Sequence, residues 1–285
     1  MLAFEKLCTL LAKQNGVYAA AEFTDHGVRE ETFLPSAGAH NCYSIAKSFT
    51  SCALGILEGE GKLRDTDRLF SYLEAPHDER WDEVTLRDVC LHKTGTPAEA
   101  NIDIDVEDFW AEGKTDFLQY VLSQPLLYEP GEGPFVYSDM NYYLLSRVVE
   151  QVTGRTTAAF LQEKLFNPLH FRGNAWGTCP QGHTLGGTGL FLRARDLAAY
   201  GYMLACGGVY ESCCLLPQEW IEKAKGAPGT YGYGFFNTPD NSYFVAGGMY
   251  GQTLYVFPST HSAVAIQGHG VQTEEVDHTI VPLYL

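Results

Sequence analysis

The sequence predicts an α+β fold: an antiparallel sheet flanked by helices, with a mostly helical segment inserted between its strands. Short alternating strand patterns gather at both ends of the chain, while helix-spaced apolar residues fill the middle. Strands from the two termini are therefore expected to meet in one sheet, where each buries its apolar face. A third observation sets the scale. With 285 residues, 45% hydrophobic and 13% aromatic, the chain has enough apolar surface for a sizeable core.

Each element has its own signal. Residues 1–13 carry Glu5, Lys6 and Lys13 where a leader would need an uninterrupted apolar run, so this stretch reads as a short amphipathic helix. Residues 17–23 and 28–34 flank Asp25-His26-Gly27 in a hairpin pattern. From Ser44 to Gly59, the positions Ile45, Phe49, Ala53, Ile56 and Leu57 recur at helical spacing, which predicts a buried helix with Ser44 in its first turn. Leu69, Tyr72 and Leu73, then Leu86, Val89 and Cys90, then Phe117, Tyr120 and Val121 form apolar stripes that read as packing faces. A Pro/Gly turn around Pro130 and Gly131 leads through a short extended piece into a helix marked by Leu144, Leu145, Val148 and Val149. In the last third, helices are expected over 196–204 and 217–225, and strands over 231–236, 243–246, 253–257 and 263–266. The expected division is a sheet subdomain of residues 1–60 and 180–285 and a helical subdomain of residues 61–179, together forming one domain.

Composition excludes several classes of partner. A net charge of -16 and a pI near 4.9 argue against nucleic acid and anionic membrane surfaces. No uncharged apolar run reaches bilayer length, so neither a membrane span nor export is expected, and a cytoplasmic location is. The eight cysteines are scattered, and adjacent Cys213-Cys214 lacks metal or redox spacing, so most are expected to be reduced, buried thiols. The nine histidines show no His-Glu-x-x-His pattern and there is no Gly-x-Ser-x-Gly elbow. Neither a metal nor a cofactor is expected.

The candidate chemistry starts at Ser44. It stands three residues ahead of Lys47, which puts the two side chains on one helix face. A serine hydroxyl is a poor nucleophile until something takes its proton, and an amine in a low-dielectric site can have its pKa lowered enough to do so. A helix N-terminus also favours developing negative charge. Tyr137 and Asp139 fall on a loop at a helix start, where polar side chains either point into a cleft or, as Ser138 and Asp139 could, cap the helix locally.

Three stretches in order carry a resemblance: Tyr43-Ser44-Ile45-Ala46-Lys47-Ser48-Phe49, Tyr137-Ser138-Asp139-Met140-Asn141-Tyr142-Tyr143-Leu144-Leu145, and Gly187-Thr188-Gly189-Leu190-Phe191-Leu192-Arg193-Ala194-Arg195-Asp196-Leu197. Together they resemble the serine beta-lactamase-related family, on its class C beta-lactamase and penicillin-binding esterase side, from about residue 17 to 266. The resemblance implies a beta-lactamase/transpeptidase-like fold. It makes Ser44 the acylated nucleophile, Lys47 its proton acceptor or electrostatic partner, and Tyr137 the phenol that relays a proton to the leaving group, with the choice of base between Lys47 and Tyr137 left open. Lys93-Thr94-Gly95 imitates the third family motif but precedes Tyr137, and Glu163-Lys164-Leu165-Phe166-Asn167 imitates a water-activating segment but ends a helix. The third motif is placed instead at Ala246-Gly247-Gly248, before Met249. The family geometry then puts the oxyanion donors at the backbone N–H groups of Ser44 and Met249, with Gly248 and Asp139 lining the substrate site.

Two departures from the pattern shape the expected substrate. Asp139 stands where the family often has asparagine; an ionised carboxylate can only accept, and it is expected to pair with Lys47 and raise its pKa. Ala246 stands where the family usually has lysine or histidine, and so offers nothing to a substrate carboxylate. The resemblance with these departures implies a serine hydrolase working through an acyl-enzyme on a small-molecule acyl substrate, an ester, amide or peptide-like compound, and more an esterase, amidase or peptidase than an efficient beta-lactamase. The alternatives are a true beta-lactamase, a D-amino peptidase or DD-carboxypeptidase, and a non-catalytic penicillin-binding-like sensor.

Overall fold

The computed structural model describes residues 3–35, 38–97, 113 and 115–285, so Met1 and Leu2 of the amphipathic N-terminal segment lie outside it. By contacts the chain divides into two compact units. One is made of residues 1–45, 164–175 and 190–285, the other of residues 46–163 and 176–189.

The first unit holds a six-stranded sheet whose spatial order is Gly27–Thr32, Val17–Thr24, Ser262–Gly268, Gln252–Phe257, Phe244–Gly248 and Phe236–Asn237. The N-terminal hairpin and the C-terminal strands do share one sheet. They join where Phe23 pairs with Ala263 and Ala21 with Ala265, both antiparallel. Gln252–Phe257 and Ser262–Gly268 are buried at every position, because helices cover both faces of the sheet centre. On one face Phe4, Leu7 and Leu11 of the Ala3–Leu11 helix join Tyr255, Phe257 and Ile266 with Val276 and Val281 of the C-terminal segment. Leu7 and Leu11 are fully buried, and each such side chain stabilises the fold by about 1.5–3 kcal/mol. On the other face lies the Ala194–Ala205 helix. It sits so close that a Cβ on Gly201 would meet the Ala263 and Leu254 side chains at 2.7 Å.

One expected strand is displaced. Phe236 opens the edge strand Phe236–Asn237, where it pairs with Val245 and Asn237 with Phe244, while Tyr231 makes only an isolated bridge to Phe236, because two glycines bend residues 231–235 away from a ladder. Gly232 is pressed against the Ala224 carbonyl, where a Cβ would come to 2.1 Å, and Gly234 takes φ +91°. The cysteines also differ from expectation. All eight are free thiols, but only Cys42, Cys52, Cys90 and Cys179 are buried, and Cys213 and Cys214 lie exposed on a two-residue strand.

The second unit is built on the helices Ala46–Gly59 and Asp139–Thr153, which pack together. Every residue from Ala46 to Leu57 is buried. The stretch Ala46-Lys47-Ser48-Phe49-Thr50-Ser51-Cys52-Ala53 mixes apolar with small polar residues around a single charge, Lys47, instead of presenting one charged face, as a helix enclosed on all sides requires. Ser138 caps the second helix by accepting from the Met140 N–H, and Gly154 at φ +67° ends it. Among the described residues no helix is long and apolar enough to cross a membrane.

Candidate active site

Ser44 sits in a single 3-10 turn, Tyr43–Ile45, that leads straight into the Ala46–Gly59 helix; the turn takes the place of the expected first α-helical turn. Its anchoring is local. Cys42 N–H donates to the Leu190 carbonyl at 2.7 Å, Tyr43 N–H to Asn41 Oδ1 at 2.9 Å, and Ile45 N–H to the Cys42 carbonyl at 3.1 Å. Tyr43 is forced into the left-handed region, φ +47°, directly before Ser44. A bulky residue takes that conformation at a cost of about 1–3 kcal/mol, the kind of strain that concentrates at functional sites.

The end of the strand Phe244–Gly248 abuts this same turn. Gly248 lies so near the Cys42 carbonyl that a Cβ there would approach it to 2.3 Å, so only glycine admits this contact. Met249 then opens the turn Met249–Gly251, in which Tyr250 has φ +65° and meets Tyr43 edge-on at 5.3 Å. Ala246 is fully buried and brings neither charge nor hydrogen bond.

Lys47 follows Ser44 by three residues, inside the second unit, and is 1% exposed. Its ammonium is enclosed by acceptors. It donates to Asp139 Oδ1 in a buried ion pair and to the Gly187 carbonyl at 2.9 Å. It also lies over the Tyr137 ring, 4.6 Å from the centroid, and hydrogen-bonds with the Tyr137 side chain. Gly187 delivers its carbonyl because it has no side chain: a Cβ would strike the Asp139 carbonyl at 2.7 Å. Thr50 holds the neighbouring Gly186 carbonyl at 2.8 Å, which fixes the glycine segment against the helix. Burial alone pushes Lys47 down, but Asp139 and Tyr137 together outweigh it and hold the ammonium above the ordinary lysine range. The expected Lys47–Asp139 pair is thus present, and it neutralises Asp139, so the charge repulsion that Asp139 would otherwise exert on an anionic substrate falls away.

His92 completes this group, though no motif or spacing in the sequence singles it out. It is fully buried at φ +55°. Its Nδ1 accepts from the Ser138 N–H at 3.2 Å and from Asn141 Nδ2 at 3.1 Å, and its ring lies 4.6 Å from that of Tyr137. Burial, reinforced by the Lys47 charge, keeps its pKa well below the usual histidine range, so the ring stays neutral and Nδ1 stays an acceptor. His92 therefore clamps the first turn of the helix that carries Asp139, with Tyr137 beside it. The signal available in the sequence is its position directly before the Lys93-Thr94-Gly95 lookalike, in Leu91-His92-Lys93-Thr94-Gly95-Thr96-Pro97.

The two lookalikes are occupied elsewhere. Lys93 lies in a turn of the second unit, where its carbonyl accepts from the Gly131 N–H at 2.9 Å. Glu163 is exposed and ion-paired with Arg155, on a π-helical turn, Gln162–Phe166.

Lys47, Tyr137 and Asp139 thus converge in one unit, while Gly248 and Met249 adjoin the Ser44 turn in the other. Known proteins share this architecture. A penicillin-binding protein from Bacillus halodurans superposes with a TM-score of 0.78 at 19% identity, over 98% of this chain and 99% of that one. A D-stereospecific amidohydrolase from Streptomyces gives 0.72 at 17% identity, over 99% and 98%. Among curated sequences, an Escherichia coli (strain K12) protein provisionally named a D-alanyl-D-alanine carboxypeptidase is 33% identical over 128 residues, 42% of this chain but only 29% of that protein's length. The fold is therefore of the beta-lactamase/transpeptidase type. The beta-lactamase family model matches residues 38–280, which takes in the Ser44 turn, the Tyr137 loop and the strand ending at Gly248, and the chain belongs to that family.

Proposed function

We propose that this hydrolase works through an acyl-enzyme on Ser44 and prefers small neutral acyl esters. The observation that carries the reading is the buried Lys47, ion-paired with Asp139 and hydrogen-bonded with Tyr137. An ammonium already bound to a carboxylate is a poor proton acceptor, so the pair supports Lys47 as an electrostatic partner and Tyr137 as the group that moves the proton. Tyr137 takes the Ser44 proton as Oγ attacks the acyl carbon, then passes it to the leaving alkoxide as the ester C–O bond breaks. Water reverses the sequence: its proton goes to Tyr137, its oxygen to the acyl carbon, and Ser44 Oγ leaves with a proton. The backbone N–H groups of Ser44 and Met249 are assigned to the oxyanion, and Gly248 to the close approach of their strand and turn.

Ala246 supports the ester preference. A penicillin carboxylate that finds no cation there forgoes a charge-assisted hydrogen bond of about 1.5–3 kcal/mol, or roughly one to two powers of ten in recognition. A second reading, an amidase or DD-carboxypeptidase, draws on the names of the relatives. Specificity constants for p-nitrophenyl acetate, benzylpenicillin and a D-alanyl-D-alanine peptide separate the two. The ester is expected to lead by at least about tenfold, with a burst of p-nitrophenol from acyl-enzyme formation; a protein that prefers benzylpenicillin or the peptide contradicts the ester reading.

A further inference from the structure

Asp25, Cys206 and His261 are remote in sequence, yet all three stand at one end of the sheet unit. Asp25 is in the two-residue turn closed by the Thr24–Gly27 pair, Cys206 caps the C-terminus of the Ala194–Ala205 helix, and His261 caps the Pro258–Thr260 turn between two sheet strands. One carboxylate oxygen, the Cys206 Sγ and one imidazole nitrogen lie within 4.8 Å of one another. Asp25 Oδ2 and His261 Nδ1 are already 3.6 Å apart. A tetrahedral ion with bonds of 2.0–2.3 Å sets its ligand atoms roughly 3.3–3.8 Å apart. Side-chain rotation of about 1 Å closes the rest, and Asp25 and His261 are exposed enough to make it.

The surroundings have the form of an outer shell. The Tyr202 hydroxyl donates to Asp25 Oδ1 at 2.9 Å, which turns Oδ2 toward His261. Tyr202 itself is fixed by stacking on Phe23, with ring centroids 4.5 Å apart. Oriented ligand carboxylates of this kind raise metal affinity.

We propose that Asp25, Cys206 and His261 form a binding site for a borderline-soft divalent ion of the zinc and cobalt class, with water as fourth ligand. Thiolate and imidazole select such ions over magnesium and calcium. On binding, the thiol proton passes to solvent and the sulfur becomes a thiolate ligand. The ion ties hairpin, helix end and turn together and stabilises the unit by mass action. It is independent of Ser44 and of the proposed acyl transfer.

The test is a Co²⁺ titration of the full, untagged chain followed by absorption. One equivalent should bring up a near-ultraviolet thiolate-to-cobalt band together with visible tetrahedral bands, displaced by Zn²⁺ and not by excess Mg²⁺. Cys206→Ser should abolish the near-ultraviolet band, His261→Gln should abolish one-equivalent binding, and Tyr202→Phe should keep the band but weaken binding about tenfold. Ester turnover should be unchanged in all three. A band that survives Cys206→Ser, or that disappears instead when Cys213 and Cys214 are both replaced by serine, overturns the assignment, as does a spectrum unaffected by His261→Gln.

Discussion

Replacing Asp139 by asparagine isolates the electrostatic centre of the site. Asp139 and Lys47 are 3% and 1% exposed, so the carboxylate cannot be replaced by bulk water, and removing one partner of such a pair costs about 3–5 kcal/mol while the remaining charge stays buried. The loss depends on pH, with a defined sign. In the wild type Lys47 is held above its ordinary range, so its contribution is fully present below the unfolded value of about 10.4 and is lost only as pH rises through the folded value. In Asp139→Asn, burial, the largest single influence on Lys47, loses its main opponent, and the folded pKa drops below the unfolded one. Between the two values the unfolded chain binds more protons, so the variant gains stability with rising pH, by up to about 1.4 kcal/mol per unit. Urea unfolding of both proteins at pH 6, 7, 8 and 9, followed through buried Trp81 and Trp220, measures the difference. It should be largest at pH 6 and shrink toward pH 9. The double change Lys47→Met with Asp139→Leu should recover most of the loss, because a hydrophobic pair of similar volume avoids the burial of charge. A difference below about 1 kcal/mol, or one that does not vary with pH, would mean that Lys47 is not held charged by Asp139.

Two further outcomes follow from the same geometry. His92→Leu strips the acceptor from the Ser138 N–H and Asn141 Nδ2 and should cost roughly 2–4 kcal/mol, with ester turnover falling alongside. His92→Asn keeps an acceptor near the Nδ1 position, tolerates φ +55°, and should cost under about 1 kcal/mol. Because the folded pKa of His92 is depressed, wild-type stability should decline as pH falls below about 6.5, and His92→Asn should lose that part of the slope; equal losses in both variants would deny Nδ1 its role. Gly248→Ala drives a Cβ to 2.3 Å from the Cys42 carbonyl, so the strand end must move off the Ser44 turn. About 1–3 kcal/mol of stability and most of the turnover should go with it, and an unchanged kcat would show that this approach does not matter.

The sheet was legible because strand patterns are local and both ends of the chain carried them; the buried helix was legible from Ile45, Phe49, Ile56 and Leu57. Residues 231–235 fall outside the strand that begins at Phe236 because Gly232 and Gly234 serve a close approach and a positive φ, neither of which shows in hydrophobic alternation. Ser44 and Lys47 could be named from spacing and resemblance, and the Lys47–Asp139 pair from the charge of Asp139 at a position the resemblance puts in the site. His92 could not, since its role depends on two donors more than forty residues away. The Asp25, Cys206 and His261 grouping was equally hidden, because ligand-spacing rules see only neighbours in sequence.

The most direct measurement is fluorophosphonate labelling of the wild type and Ser44→Ala, with intact mass and peptide mapping. One adduct per chain is expected, on Ser44, absent from a folded Ser44→Ala protein that no longer turns over p-nitrophenyl acetate. An adduct on another serine, or a Ser44→Ala protein that still hydrolyses the ester at the wild-type rate, would contradict Ser44 as the nucleophile.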